Sequence, residues 1–279
     1  MGLIDRSFFK GRRVLITGHT GFKGSWLCMI LRHLGAEVSG LALDPPTDPN
    51  LFTLLSLEHY VRSHHADVRD FDAVLGIVKE ERPELLLHLA AQPLVRESYL
   101  HPHATYETNV MGTLNVLEAL RQTDSVRSFI NVTTDKVYLN REQANRAYQE
   151  DDPLDGFDPY SNSKSCSDLI THGYRNAFFL NGTCAISVAR AGNVIGGGDF
   201  AADRIIPDCI RAATQGQRLL IRNPSSTRPY QHVLEPLCAY LMIAQRQYGQ
   251  AEYANYYNVG PDSTNCTTTE NVVALFRQA

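Results

Sequence analysis

No apolar run in the chain approaches the roughly 20 residues that cross a bilayer as a helix, which argues against a membrane partner. Basic residues do not predominate either. Lys and Arg number 26 against 30 Asp and Glu, a formal net charge of −4. Nucleic acid is therefore not expected as a main partner, because a phosphate backbone needs a basic surface. The six cysteines (Cys28, Cys166, Cys184, Cys209, Cys238, Cys266) form no C-x-x-C and no Cys/His cluster of zinc spacing. No metal is expected, and they read as reduced thiols in the cytoplasm. Met1 to Arg13 lacks the apolar core and small-residue cleavage site of an export signal, and no internal repeat or low-complexity segment is found. What remains is ordinary for a globular enzyme: 279 residues, 43% hydrophobic and 20% charged, enough for one large domain or two smaller ones.

The most informative stretch is Arg13 to Gly24. Val14 to Ile16 reads as a short strand and Ser25 to Leu34 as a helix, with Gly18, Gly21 and Gly24 in the turn between them. A glycine-rich turn feeding a helix leaves backbone N–H groups unpartnered, and with the helix dipole they hold a pyrophosphate. The spacing is G-x-x-G-x-x-G, not G-x-G-x-x-G, so its weight comes from its place after the first strand. A second strand, Glu37 to Leu43, ends at Asp44. A carboxylate about 20 residues beyond the glycine turn meets the adenosine ribose hydroxyls and repels a 2′-phosphate, which favours NAD over NADP.

Strands and helices then alternate. Val61 to His65 reads as a strand, and Asp70 as the cap of a helix over Phe71 to Glu80. Leu85 to Leu89 is an unbroken apolar strand. It runs into Ala90, Ala91 and Gln92, small residues where a ligand approaches the backbone. Thr105 to Arg121 reads as one helix, and Val126 to Val132 as a strand. The fold class is α/β: a doubly wound parallel sheet of Rossmann type with a smaller C-terminal substrate-binding region. Ligands in such sheets lie beyond the carboxyl ends of the strands.

At that edge stands Thr133-Thr134-Asp135-Lys136. Two hydroxyls, a carboxylate and an amine in four residues make a candidate for chemistry. Tyr160 and Lys164, four apart, share one face of a helix running towards Phe179. A nearby ammonium favours the phenolate, so Tyr160 is expected to be a base for a sugar hydroxyl. With 13 tyrosines and five lysines, chance supplies about one Y-x-x-x-K in four such chains, so the pair counts only beside the glycine turn. From Arg190 to His232 there are six arginines (190, 204, 211, 218, 222, 228), three aspartates and no Glu or Lys. That excess suits a diphosphate. Arg204 and Arg228 are the preferred contacts, and Arg211 and Arg218 are expected to face water from a helix.

These residues together resemble the extended short-chain dehydrogenase/reductase family, and within it the nucleotide-sugar 4,6-dehydratases. The segments 18–24, 90–96, 190–199 and 228–233 look specifically like the branch acting on CDP-glucose, in which Asp-Lys at 135–136 replaces the commoner Asp-Glu. Tyr230 departs from an expected Trp. The chain also stops at Ala279 in an apparent helix where family members continue, so part of the substrate region is expected to lie beyond it. The resemblance implies a bound NAD contacting Gly18, Thr20, Gly21, Phe22, Lys23, Gly24, Asp44, Asp67, Val68, Ala90, Ala91, Gln92, Asn109, Tyr160 and Lys164. It implies substrate contacts from Arg96, Asn193, Arg204, Arg228 and Gln231. It also implies catalysis by five residues. Tyr160 takes the 4-hydroxyl proton, Lys164 lowers the tyrosine pKa, Thr134 bonds the 4-oxygen and Asp135 protonates the leaving 6-hydroxyl. Lys136 serves as either the C5 base or an electrostatic partner. Expected domains are 1–190, with 232–248 returning to it, and 191–231 with 249–279. Expected partners are a nucleotide-sugar and a second copy, as homodimer or dimer of dimers. Two rivals stand: a nucleotide-sugar 4-epimerase, which needs no acid/base pair for C5 and C6, and a non-catalytic NAD-sensing or scaffold protein.

Overall fold

The computed structural model describes residues 4–140, 146–180, 182, 184–262 and 265–278; Ala279, where the chain was expected to break off within a helix, lies outside them. The strands are β1 (Arg13–Thr17), β2 (Glu37–Ala42), β3 (Arg62–His65), β4 (Leu85–His88), β5 (Ser128–Thr134), β6 (Ala185–Ala191), β7 (Val194–Ile195), β8 (Thr227–Arg228), β9 (Gln231–His232), β10 (Tyr256–Val259) and β11 (Thr267–Thr268). The α-helices are α1 (Arg6–Phe9), α2 (Phe22–Leu34), α3 (Leu51–Leu54), α4 (Phe71–Glu81), α5 (Val95–Leu100), α6 (Pro102–Tyr106), α7 (Gly112–Arg121), α8 (Pro159–Tyr174), α9 (Ile205–Thr214), α10 (Leu234–Gly249) and α11 (Thr269–Gln278).

Seven strands form one sheet in the order β10-β6-β5-β4-β1-β2-β3, and every pairing is parallel. β5 and β6 are buried at all seven positions, because helices cover both faces. On one side Leu27 and Leu31 of α2 pack with Leu237, Tyr240 and Leu241 of α10. On the other, Val74 and Val78 of α4 pack with Val116, Leu117 and Leu120 of α7. This is the doubly wound Rossmann arrangement, and it brings the carboxyl ends of β1, β4, β5 and β6 to one edge.

Several boundaries differ from expectation. The helix after the glycine turn starts at Phe22, three residues early, so Gly24 sits inside its first turn. Asp70 caps α4, its Oδ1 accepting from the Ala73 amide at 3.1 Å. The stretch expected as one helix over 105–121 runs as α6, a π-helical turn Glu107–Met111, and α7. The helix beginning at α8 likewise closes on a π turn, Arg175–Phe179. β5 lies two residues later than expected, so Thr133 and Thr134 belong to the strand and not to the turn. β10 pairs with β6 in the central sheet. Outside that sheet lie the parallel pair β7/β9, the antiparallel pair β8/β11, and α9 packed on α11.

Candidate active site

At the carboxyl end of β1 the backbone of Gly18 takes φ +75°, and an added Cβ would lie 2.8 Å from the Ala90 nitrogen. A Cβ on Gly24 would lie 2.2 Å from the Gly18 carbonyl oxygen. These glycines therefore let α2 and the β4 loop close onto the turn. Gly21 precedes α2 with no side-chain cap, which leaves the first-turn amides for an anion. Thr20 Oγ1 donates to the Leu43 carbonyl at 3.0 Å, tying the turn to the end of β2. Asp44 follows with its carboxylate 89% exposed, 3.4 Å from His65 Nε2. Phe22 lies under the glycine segment of 196–198, its ring 3.2 Å from where a Gly196 Cβ would stand.

Asp67 is held by the Arg69 side chain and backbone amide, and the Arg69 guanidinium keeps its carboxyl below the usual range. Val68 is buried against Gly112. Ala90 donates its amide to Thr17 Oγ1. Asn109 differs from expectation. It is fully buried, accepts from the Gln92 amide, and donates to the Gln92 carbonyl and Ser163 Oγ. Its amide shapes the β4 loop from behind, so any effect on a bound ligand passes through Gln92. Lys23, in the first turn of α2, donates to Tyr240 Oη at 2.8 Å. Burial, then the nearby Lys164 and Arg204, bring this amine down to about 7, against the pull of Asp135. A cradle that any Cβ would fill, an uncapped helix start and an exposed carboxylate beyond β2 together fit a dinucleotide.

The second cluster forms where β5 meets α8. Asp158 caps α8 through Ser161, and Pro159 fixes its first turn. Tyr160, Lys164 and Asp168 follow at four-residue spacing, all buried. Thr134 Oγ1 donates to Asp135 Oδ1 at 3.0 Å and accepts from the Lys136 amide at 3.4 Å, which turns the chain out of β5. Burial raises the Asp135 carboxyl; Lys136, Thr134 and Arg228 oppose it. Burial lowers the Lys136 amine, opposed first by Asp135. An acid biased towards protonation thus adjoins an amine biased towards neutrality. Packing also confines them, since Gly192 leaves 3.2 Å between its would-be Cβ and Asp135 Oδ2.

Burial pushes the Tyr160 phenol up to about 12, the Thr134 hydrogen bond pulls it down, and Asp135 raises it further. The Lys164 ammonium donates to the Val132 carbonyl at 3.1 Å, and burial lowers it to about 8 against the pull of Asp168. Burial costs a Tyr160 phenolate more than its neighbours return, which is why the shift is upward.

The arginines separate into groups. Arg190 is buried and bonds Asp168, so it is not available to a diphosphate. Arg204 pairs with Asp199 at 2.9 Å, yet still acts on Tyr160, Lys23 and Lys136. Arg228, in β8, acts on Asp135 and Lys136. Arg211 does not simply face water: it donates to the Phe200 and Ala201 carbonyls and pairs with Asp208. Arg218 lies beyond α9 and is exposed. Arg96 and Arg222 share Asp203, at 3.4 and 3.0 Å. Asn193 joins β6 to β7, its carbonyl accepting from the Gln231 amide. Gln231 is buried with Nε2 on the Val259 carbonyl. Sequence reasoning missed Tyr240 and Asp168. The i, i+4, i+8 spacing could have revealed Asp168, but nothing local marks Tyr240, which lies 217 residues from Lys23.

A parallel sheet with a glycine turn after β1 and a Tyr/Lys helix beside a Thr-Asp-Lys turn defines a nucleotide-sugar enzyme of the extended dehydrogenase type. The chain belongs to the family described as GDP-mannose 4,6 dehydratase, whose profile matches residues 15–266. It is 48% identical to the CDP-glucose 4,6-dehydratase of Salmonella typhimurium over 97% of this chain and 77% of that relative. Among solved structures it is similar to DesIV, a dTDP-glucose 4,6-dehydratase from Streptomyces venezuelae, with a TM-score of 0.81 and 21% identity over 95% and 80% of the two chains. It is also similar to a UDP-glucose 4-epimerase from Thermotoga maritima, with a TM-score of 0.80 and 21% identity over 95% and 81%.

Proposed function

We propose that this chain is a hydro-lyase that uses NAD to convert CDP-glucose to CDP-4-dehydro-6-deoxy-glucose. The observation that carries the reading is the partly buried Asp135–Lys136 pair beside Tyr160 and Thr134, supported by the 48% identity to a CDP-glucose 4,6-dehydratase. The C5 proton of a hexose is not acidic until C4 is a ketone. Gly18 to Gly24, Asp44 and Lys164 would hold NAD, which would supply reversible hydride acceptance for the oxidation at C4 and the reduction at C6. Tyr160, once its own proton has left to solvent, accepts the 4-hydroxyl proton as the phenolate while C4 is oxidised, and Thr134 bonds the 4-oxygen. Lys136, as the free amine, takes the C5 proton, while Asp135 gives its proton to the 6-hydroxyl, which departs as water. Lys136 then returns a proton to C5 as C6 is reduced. Arg204 and Arg228 hold the diphosphate.

The test is incubation with CDP-, UDP-, GDP- and dTDP-glucose and NAD in deuterated water. A 4-keto-6-deoxy product from the CDP sugar, carrying solvent deuterium at C5, is expected. A 4-epimer without deuterium would identify an epimerase instead. Pairing of two copies through the side of α7 and α8 belongs to the same proposal, supported by exposed Met111, Leu169 and Phe178. Sedimentation as a single 31.2 kDa species would remove it.

A further inference from the structure

We propose that Asp168 is a positioning residue for the Tyr160–Lys164 pair: clamped by Arg190 and Thr133, it joins α8 to the ends of β5 and β6 and supplies the negative charge facing the Lys164 ammonium. This rests on the reading of Tyr160 and Lys164 as the catalytic pair. Residues 160, 164 and 168 share one helix face, so each reaches the sheet one turn after the last. Asp168 is 1% exposed and Arg190 3%. Arg190 donates through Nε to Oδ2 at 2.8 Å and through Nη2 to Oδ1 at 3.0 Å, and Thr133 Oγ1 donates to Oδ2 at 3.4 Å. The same guanidinium donates through Nη1 to Tyr138 Oη and the Glu150 carbonyl. Lys164 holds the carbonyl of Val132, adjacent to Thr133. The ammonium and its carboxylate therefore grip consecutive residues of β5, immediately before the Thr134-Asp135-Lys136 turn.

The charges around Lys164 give Asp168 its second role. Lys23 approaches from α2 as a like charge. His88 approaches from β4, and burial brings it to about 3, so it is neutral. The Tyr160 phenol on its own helix is pushed up to about 12, and Arg190 from β6 is paired with Asp168. Asp168 is the group that opposes the burial of the Lys164 amine. A buried ion pair seldom adds stability over well-packed apolar groups of equal size, so its place against the catalytic lysine is the more informative feature.

The chain has five lysines, so protein labelled with ¹³C at the lysine ε-carbon gives a spectrum simple enough to titrate. Lys164 is identified by the signal that Lys164→Arg removes. In the full-length protein, Asp168→Asn should lower the Lys164 midpoint by about one pH unit or more, as loss of an opposite charge at close range does. The alkaline limb of cofactor reduction by CDP-glucose should move with it, and Asp168→Glu should restore both. Because Asp168→Asn leaves Arg190 unpaired, the double variant Asp168→Asn/Arg190→Gln repeats the test without a stranded cation. A midpoint unchanged in either folded variant overturns the proposal, whatever happens to turnover. If the wild-type protein leaves CDP-glucose untouched, the functional reading fails separately, and the lysine titration still judges Asp168.

Discussion

At the scale of single residues, the site depends on burial acting oppositely on acids and bases. Asp135 is raised and Lys136 lowered by the same cause, which is the pairing that simultaneous proton donation and removal requires. Tyr160 is also raised, to about 12, so it must lose its own proton before it can accept one from a substrate hydroxyl. This separates the half-reactions by residue. Lys136→Met should leave C4 oxidation intact, with absorbance of the reduced cofactor appearing on mixing with CDP-glucose. Dehydration should slow by about 10² to 10⁴, the usual contribution of a positioned base. Full dehydratase turnover in that variant would remove Lys136 from the mechanism.

At the scale of elements, α2 is the piece on which cofactor binding turns. A side chain on Gly24 meets the Gly18 carbonyl at 2.2 Å, backbone that cannot swing aside, so α2 must move away from the turn. Gly24→Val should cost about 1–3 kcal/mol of stability from overpacking. It should also abolish the rise in melting temperature that NAD gives the wild type. Gly76→Ala is the control. It lies in α4 with nothing within 4 Å of the added carbon, and it should gain about 0.5–1 kcal/mol. If Gly24→Val is still stabilised by NAD as the wild type is, the cradle lies elsewhere.

Legibility also divides by element. The strands β1, β2 and β4 were legible, and the glycine turn, Asp70 cap and Tyr/Lys helix showed as local spacing. β10 did not, because Tyr-Tyr-Asn-Val carries no buried-strand pattern and becomes a strand only by pairing with β6. The π turn at Glu107–Met111 was equally invisible, since nothing in the local pattern marks a widened turn. Asn109 looked like a ligand contact and lies behind the loop. Arg190, one of six arginines whose excess suits a diphosphate, is an internal partner of Asp168. In both, the residue type was informative, but its direction depended on elements more than 15 residues away in sequence.

At the scale of the whole molecule, two buried histidines tie the sheet's central strands to the rest and set its acid limit. His88 bridges Thr17 Oγ1 and Thr113 Oγ1, at 2.7 and 3.1 Å, and His19 meets Ser63 Oγ at 2.6 Å. Burial brings His88 to about 3 and His19 to about 4. Both are neutral in the folded chain, whereas the unfolded chain protonates them near the ordinary value of about 6.5. As pH falls below 6.5 the unfolded state therefore takes up more protons, and stability declines. The loss reaches up to about 1.4 kcal/mol per pH unit for each histidine until the folded values are reached. Glu81, Glu84, Glu118 and Asp67, all lowered in the folded state, add their own loss only below about pH 4.5, where the unfolded carboxylates begin to protonate. Between pH 6.5 and 4.5 the histidines drive the decline, and the raised Asp135 carboxyl opposes it by taking up its proton first in the folded chain. Urea midpoints should fall steadily across that window, and His88→Gln, whose amide still has Thr17 and Thr113 within reach, should remove about half of the slope. A midpoint that stays level to pH 4.5 would mean that the folded chain admits these protons, and that the centre of the sheet is more open than its packing indicates.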